Sequence, residues 1–259
     1  MPENRHISAL TEFPPVSLSE MDGVRLLDRI DTKYLTDTAT LPAVLADAAS
    51  AGYRVLEVEG NRISRYESVY YDTDGLKMFL DHRNGRTVRQ KVRTRRYVES
   101  GQAFLEIKLK NNKGRTKKKR MEIPLAELKD FRSDGAACRY LAEKSMFTTG
   151  ELSPVLETCF GRITLVNPSM TERTTIDTDV EFKNYRTGRD ASLKNAVVIE
   201  VKQDGRYASG MRVILLRHRV KPFRISKYCM AVTLTDPSAR AGRFNEKRHI
   251  IEKLIGNKL

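Results

Sequence analysis

The chain has 259 residues, of which 40% are hydrophobic and 31% charged, and carries a formal net charge of +14. That length gives one large domain or two small ones with room for a substantial core, and the balance reads as globular. No run approaches the ~18 apolar residues of a membrane span. Three well-separated cysteines (Cys138, Cys159, Cys229) and four scattered histidines exclude a disulfide framework and a paired zinc spacing.

Residues 1–22 read as a flexible or loosely packed lead-in, with Pro14–Pro15 discouraging helix. They lack the basic-then-apolar order of a secretory signal, so a cytoplasmic location is the expectation. Arg25–Thr36 (RLLDRIDTKYLT) reads as a strand with Arg29, Asp31 and Lys33 on one face. Asp37–Ala51 follows as an amphipathic helix stopped by Gly52. Tyr53–Glu59 and Ile63–Asp72 read as strands joined at Gly60–Asn61, and a short helix covers Gly75–Arg83. Three strands come next, Thr87–Val98, Ala103–Lys110 and Thr116–Ile123, with hairpin turns at Glu99–Gly101 and Asn111–Gly114. Leu125–Met146 is expected to be mainly helical. Strands resume at Pro154–Val166, Thr171–Phe182 and Ala196–Gln203. Arg206–Arg219 reads as a helix, Phe223–Lys227 as a last short strand, and a further helix starts near Ser226–Lys227. The basic tail from Arg240 is expected to be helical, docking through Ile250, Leu254 and Ile255.

The positive charge is concentrated. Arg86–Arg120 holds fourteen bases against only Glu99 and Glu106. Arg89, Lys91, Arg93 and Arg95 alternate, as do Glu106, Lys108 and Lys110, and then Lys118, Arg120 and Glu122. In a strand each set lines one face. Leu105, Ile107 and Leu109, or Met121 and Ile123, fill the other face. Glu200 and Lys202 alternate likewise with Val197, Ile199 and Val201, and Arg162 and Arg173 fall in further strands. One such strand reads as the solvated face of an ordinary sheet. Several together point to a closed sheet with its basic face inward and its apolar face covered by helices. The expected fold is therefore α+β, an antiparallel β-barrel with helices packed outside.

Other chemistries find no pattern. There is no HExxH and no Walker loop, since Asn111–Thr116 lacks the glycine–lysine–serine ending. Cys159, in an apolar run, reads as a packed thiol rather than a nucleophile. No RNP, KH or C2H2 pattern supports specific nucleic-acid binding.

The pieces DRIDTKY (28–34), SVYYDT (68–73), VRTRRY (92–97), FLEIKLK (104–110), KKKRMEI (117–123), TERTTIDTD (171–179), VVIEVK (197–202) and FRISKY (223–228) occur in an order that resembles the VTC-type polyphosphate polymerase domain. That family lies within the triphosphate tunnel metalloenzyme (CYTH-like) superfamily. The resemblance spans about residues 25–235 and implies a tunnel domain over 23–238, followed by a basic C-terminal helix or tail over 239–259. It implies Lys33, Arg93, Arg95, Lys108, Lys118, Arg173 and Lys227 as catalytic residues. Arg29, Arg89, Lys91, Lys110, Arg120, Arg162 and Lys202 would complete a substrate-binding wall. Glu200 would bind a divalent metal, Mn²⁺ or Mg²⁺, while Glu106 and Glu122 would support the metal or hold neighbouring bases.

The first strand carries Arg29, Asp31 and Lys33 in place of the ExExK of cyclase-type and thiamine-triphosphatase-type relatives, which favours the VTC branch. Neither an SPX domain nor a membrane segment accompanies it, a stand-alone arrangement that looks bacterial. The implied reaction is transfer of the terminal phosphoryl group of ATP to a growing inorganic polyphosphate chain. Hydrolysis of tripolyphosphate or a nucleoside triphosphate, and non-catalytic polyphosphate sensing, are the alternatives on the same tunnel.

Overall fold

The computed structural model describes residues 6–21, 24, 29–113 and 115–259. Asp28 of the DRIDTKY piece, the start of the strand expected from Arg25, and Gly114 of the expected turn lie outside the described residues, as does the side chain of Arg29.

Among the described residues eleven strands form: β1 (Pro15–Val16), β2 (Arg29–Asp37), β3 (Arg54–Leu56), β4 (Ser64–Asp72), β5 (Arg89–Tyr97), β6 (Gln102–Lys110), β7 (Thr116–Glu122), β8 (Ser153–Val166), β9 (Glu172–Asn184), β10 (Asp190–Ser192) and β11 (Ala196–Asp204). Eight α-helices join them: α1 (His6–Leu10), α2 (Leu18–Met21), α3 (Leu41–Ser50), α4 (Lys77–Arg83), α5 (Gly135–Lys144), α6 (Gly210–Arg217), α7 (Lys227–Thr235) and α8 (Asn245–Ile255). The main path of the sheet is β2-β11-β9-β8-β4-β5-β6-β7, antiparallel at every step.

No ladder joins β7 back to β2 among the described residues. The sheet nevertheless curls into a tunnel: Glu200 of β11 acts electrostatically on Lys108 of β6, and Lys33 of β2 on Lys91 of β5. Strands at opposite ends of the path therefore face one another. The free side of β2 is covered by the chain near Pro222, where the Phe223 N–H donates to the Lys33 carbonyl at 2.7 Å. β7, at the other end, is exposed along almost all its length. Its four consecutive bases discourage pairing with another edge strand.

Alternation sorts the side chains between two faces. The convex face packs under helices as two cores. Tyr34, Ile163, Ile176, Ile199 and Val201 lie with α1, α3 and α6, and Val69, Val92, Leu105, Ile107 and Ile123 lie with α5. At ~25 cal/mol per Å², burying such side chains is the main force closing the sheet. The concave face is polar over most of its area but apolar at one end. There Leu35, Val198, Tyr70, Phe160, Val180 and Phe182 pack on Tyr228, Met230 and Val232 of α7 and on Ile251 and Ile255 of α8. A bulge allows this change of character. Between Cys159 and Gly161 the β8–β9 register shifts, and Asp179 adopts φ 52°. Asp177 and Val180 thus share the inner face despite their odd separation.

Several expectations are corrected. The segment Phe223–Lys227 makes no strand; Ser226 instead caps α7, its Oγ accepting from the Cys229 N–H. The described part of the lead-in packs through Leu10, Phe13 and Val16, each at most 2% exposed. The Leu125–Met146 segment starts as two 3-10 turns and becomes α-helix only at Gly135, after Asp134 caps it. In the tail Ile251 takes the docking role expected of Ile250, which is exposed.

Candidate functional site

The strand registers place the selected basic and acidic residues of described side chain on β2 and β5–β11 on the concave face. Lys33 lies opposite Glu200, and Asp31 opposite Lys202, which pairs in turn with Arg173. Arg162 lies opposite Asp177. Across β5, β6 and β7 run the rows Arg93–Glu106–Arg120, Lys91–Lys108–Lys118 and Arg89–Lys110–Thr116. Arg95 pairs with Phe104, which faces Glu122. Lys227 arrives from α7 rather than from a strand, and Arg29 holds the backbone position opposite Asp204.

Three carboxylates organise these bases. Glu106 is fully buried, and its Oε2 accepts from Arg93 Nε and Nη2 at 2.8 and 2.6 Å, while Lys118 pairs with Oε1. Asp177 accepts a two-pronged contact from Arg162, Nε at 2.6 Å and Nη2 at 2.8 Å, and a further bond from Lys227. Glu200 accepts from Lys33 at 2.9 Å through Oε1 and from Lys202 through Oε2. Burial alone would raise all three carboxyl pKa values, but the adjacent cations outweigh it and hold each far below the usual range. All three are ionised at neutral pH. Each balances one arginine and one lysine, or two lysines, so the wall keeps excess positive charge.

Aromatic rings support the arginines. Tyr66 and Phe160 stack at 5.3 Å between centroids, with the Arg162 guanidinium 4.7 Å from Tyr66 and Arg95 5.1 Å from it. Arg120 lies 4.7 Å over Phe104, and Lys227 4.4 Å over Phe160. Arg95 Nε also donates to Ser68 Oγ at 2.9 Å. Such contacts fix planar, weakly hydrated guanidinium groups in one orientation, which suits bidentate binding of phosphate.

Crowding leaves the lysines poised for an anion. Arg93, with burial and Arg95, drives Lys108 well below its ordinary pKa. Burial depresses Lys91, Lys118 and Lys227, and lowers Lys202 to about 8 in spite of Glu200. Tyr70, whose hydroxyl accepts from Arg93 Nη1 at 3.1 Å, is raised by burial, but Arg93, Arg95 and Lys91 bring it down to about 8. Rising pH through 8 thus removes a cation at Lys202 and adds an anion at Tyr70. Anion binding favours the protonated form of both, so it is coupled to proton uptake. Tripolyphosphate affinity, measured by calorimetry from pH 6.5 to 9, should be level at first and fall severalfold above pH 8. A flat profile would exclude this titration.

Sequence reasoning missed Asp177, Tyr70, Ser68 and the Tyr66–Phe160 pair. Asp177 was accessible, since it stands four residues from Arg173 with the same parity inside TERTTIDTD. The aromatic pair was not, because it depends on the β4–β8 register. The two alternative uses expected for Glu106 and Glu122 separate. Glu106 is tied to Arg93 and Lys118, whereas Glu122 is exposed at the end of β7. Cys159 sits half-buried between Glu67 and Glu181 across the ladders, and burial and the acids push its thiol up to about 11, unsuited to nucleophilic work.

Among the described residues no group of three His, Cys, Asp or Glu side chains could hold a metal ion. Glu200 offers one carboxylate on the inner wall. That suits Mg²⁺ or Mn²⁺ bound chiefly by phosphate oxygens and water, the usual arrangement at phosphoryl-transfer sites.

A family model described as the VTC domain matches residues 28–235. Among solved structures, one titled as a putative adenylate cyclase from Bacillus halodurans is 12% identical, with a TM-score of 0.52, over 77% of this chain and 96% of its own. A putative adenylate cyclase from Vibrio parahaemolyticus gives 11% identity and a TM-score of 0.49 over 81% and 99% of the two chains. At 12% identity the Bacillus protein bears on fold alone, and it supports the curled antiparallel sheet. No curated protein matches the chain. Among the described residues no helix is long and apolar enough to cross a membrane.

Proposed function

The chain belongs to the VTC domain family, and from that premise we propose that it is a polyphosphate polymerase transferring the terminal phosphoryl group of ATP to a growing chain. The observation that carries the reading is the concave wall. Lys33, Lys91, Arg93, Arg95, Lys108, Lys118, Arg162, Arg173, Lys202 and Lys227 share it, and Glu106, Asp177 and Glu200 orient six of them. Phosphoryl transfer asks little covalent chemistry of a protein, so positioning and charge neutralisation carry the rate.

In this reading Arg93, Arg95 and Arg162 grip phosphate oxygens through pre-oriented forks. Lys33, Lys108, Lys118 and Lys227 act as movable point charges, with Arg173 completing the wall. Arg93, with burial and Arg95, pushes the Lys108 pKa well down, and an arriving phosphate favours its charged form. Arg29, Arg89, Lys91, Lys110, Arg120 and Lys202 extend the binding surface along the chain. A terminal oxygen of the acceptor attacks the γ-phosphorus, the bond to the β-phosphate oxygen breaks, and ADP departs. A divalent ion held by Glu200 and the substrate's own phosphates would supply neutralisation of charge on the leaving diphosphate.

The deciding experiment incubates purified protein with ATP and Mn²⁺ or Mg²⁺ and resolves products on a gel. Long-chain polyphosphate with matching ADP is the expected result. Free phosphate without chains would make the protein a triphosphatase, and binding without turnover would make it a sensor.

A further inference from the structure

At the end of the tunnel rows and beyond it lie bases whose side-chain hydrogen bonds go to neutral acceptors rather than carboxylates. Arg89 Nη1 donates to the Arg86 carbonyl at 2.6 Å, Arg243 Nη1 to the Arg83 carbonyl at 3.5 Å, and Lys247 Nζ to the Arg224 carbonyl at 2.7 Å. Lys91 Nζ donates to Ser226 Oγ at 3.0 Å, two residues from Arg224. These contacts bring together the chain after α4, the start of β5, the segment before α7 and the start of α8. Nearby carboxylates are engaged elsewhere: Asp81 with Lys77, and Glu252 with Arg248. Glu246 falls in the first turn of α8.

We propose that this face is a second anion site, which carries a linear polyphosphate chain onward from the rows Lys91–Lys108–Lys118 and Arg89–Lys110–Thr116. The inference rests on the tunnel reading above and names its ligand as a chain longer than the tunnel holds. Arg243 and Lys247 lie outside residues 28–235 matched by the family model, the first in the turn before α8 and the second on α8.

His82 is a witness to the field. Its Nδ1 is buried without a hydrogen-bond partner, and burial, then Lys91, Arg89, Lys247 and Lys110, lower its pKa to about 3. Four cations from β5, β6 and α8 therefore converge on one neutral imidazole. Such convergence opposes folding unless an anion answers it. Continuity with the tunnel favours polyphosphate over nucleic acid. Phe244, the ring beside Lys247, is buried and already covered by it, which leaves little for bases to stack on.

The test compares wild type with an Arg243→Gln/Lys247→Gln variant at low salt, using tripolyphosphate and polyphosphate of several tens of residues. Long-chain affinity should fall about tenfold, as two exposed ion pairs imply, with tripolyphosphate affinity unchanged. The charge-retaining variant Arg243→Lys/Lys247→Arg should bind like wild type. Unchanged long-chain binding, equal weakening of tripolyphosphate, loss in the charge-retaining variant, or equal competition by oligo-dT would each overturn the proposal. Failure of wild type to bind tripolyphosphate would instead overturn the tunnel reading, leaving the long-chain comparison to judge this site.

Discussion

Arg93→Ala should destabilise the protein by about 3 kcal/mol, the lower end for breaking a buried ion pair, because Lys118 still partners Glu106. The Arg93 side chain is 11% exposed and that of Glu106 0%, so solvent screens little of the loss. For a chain of this size that corresponds to roughly 6–12 °C in Tm. The origin of the loss is the abandoned carboxylate, not the missing guanidinium. Glu106→Gln in the Arg93→Ala background should therefore recover much of the stability, since it removes the charge left without its fork. Denaturant unfolding of the two single variants and the double completes the cycle. Additive effects would show that Arg93 and Glu106 act independently and would refute the pairing. Triphosphate affinity should fall less than the charge change suggests. Arg93 is the chief cause of the depressed pKa of Lys108, so its removal raises that pKa and favours the charged form of Lys108.

The alternation that identified the wall is a two-residue period, and strand registers preserve it from Lys33 to Glu122. This is why the inner face could be read from sequence. Parity does not encode which base a carboxylate holds. Glu106 could have paired with Arg93, Arg95 or Arg120; the choice depends on cross-strand register and on Lys118 reaching in from the next strand. Lys227 reached the site by a different route. FRISKY reads as a short strand running into a helix near Ser226–Lys227; the helix start forms, the strand does not, and the Lys227 side chain is delivered to Asp177. Local β-propensity lost to a cap and to the packing of Tyr228 and Met230 against the inner apolar patch. The same patch explains why α7 and α8 lie across one end of the tunnel. The Asp179 bulge that creates it leaves no mark in an alternation count.

Glu200→Gln should lower turnover at least a hundredfold while leaving tripolyphosphate affinity within about threefold of wild type, a separation that only a transition-state role produces. Glu200 accepts from both Lys33 and Lys202, so its first function in the empty protein is as their counter-ion. The amide removes one negative charge from the wall, which by itself would tighten anion binding. Lys202, lowered to about 8 by burial even with Glu200 present, then loses that support, and its pKa drops further. Near neutral pH the lost anion and the partly lost cation oppose each other, and ground-state binding changes little. What the amide cannot restore is a carboxylate able to share a divalent ion with substrate phosphates. Two measurements decide it: tripolyphosphate calorimetry without metal, and ATP turnover across a Mn²⁺ series. A variant with full turnover would remove Glu200 from the chemistry altogether. A variant that lost affinity and turnover together would make it a scaffold for Lys33 and Lys202, and the metal would have to be held by phosphate alone.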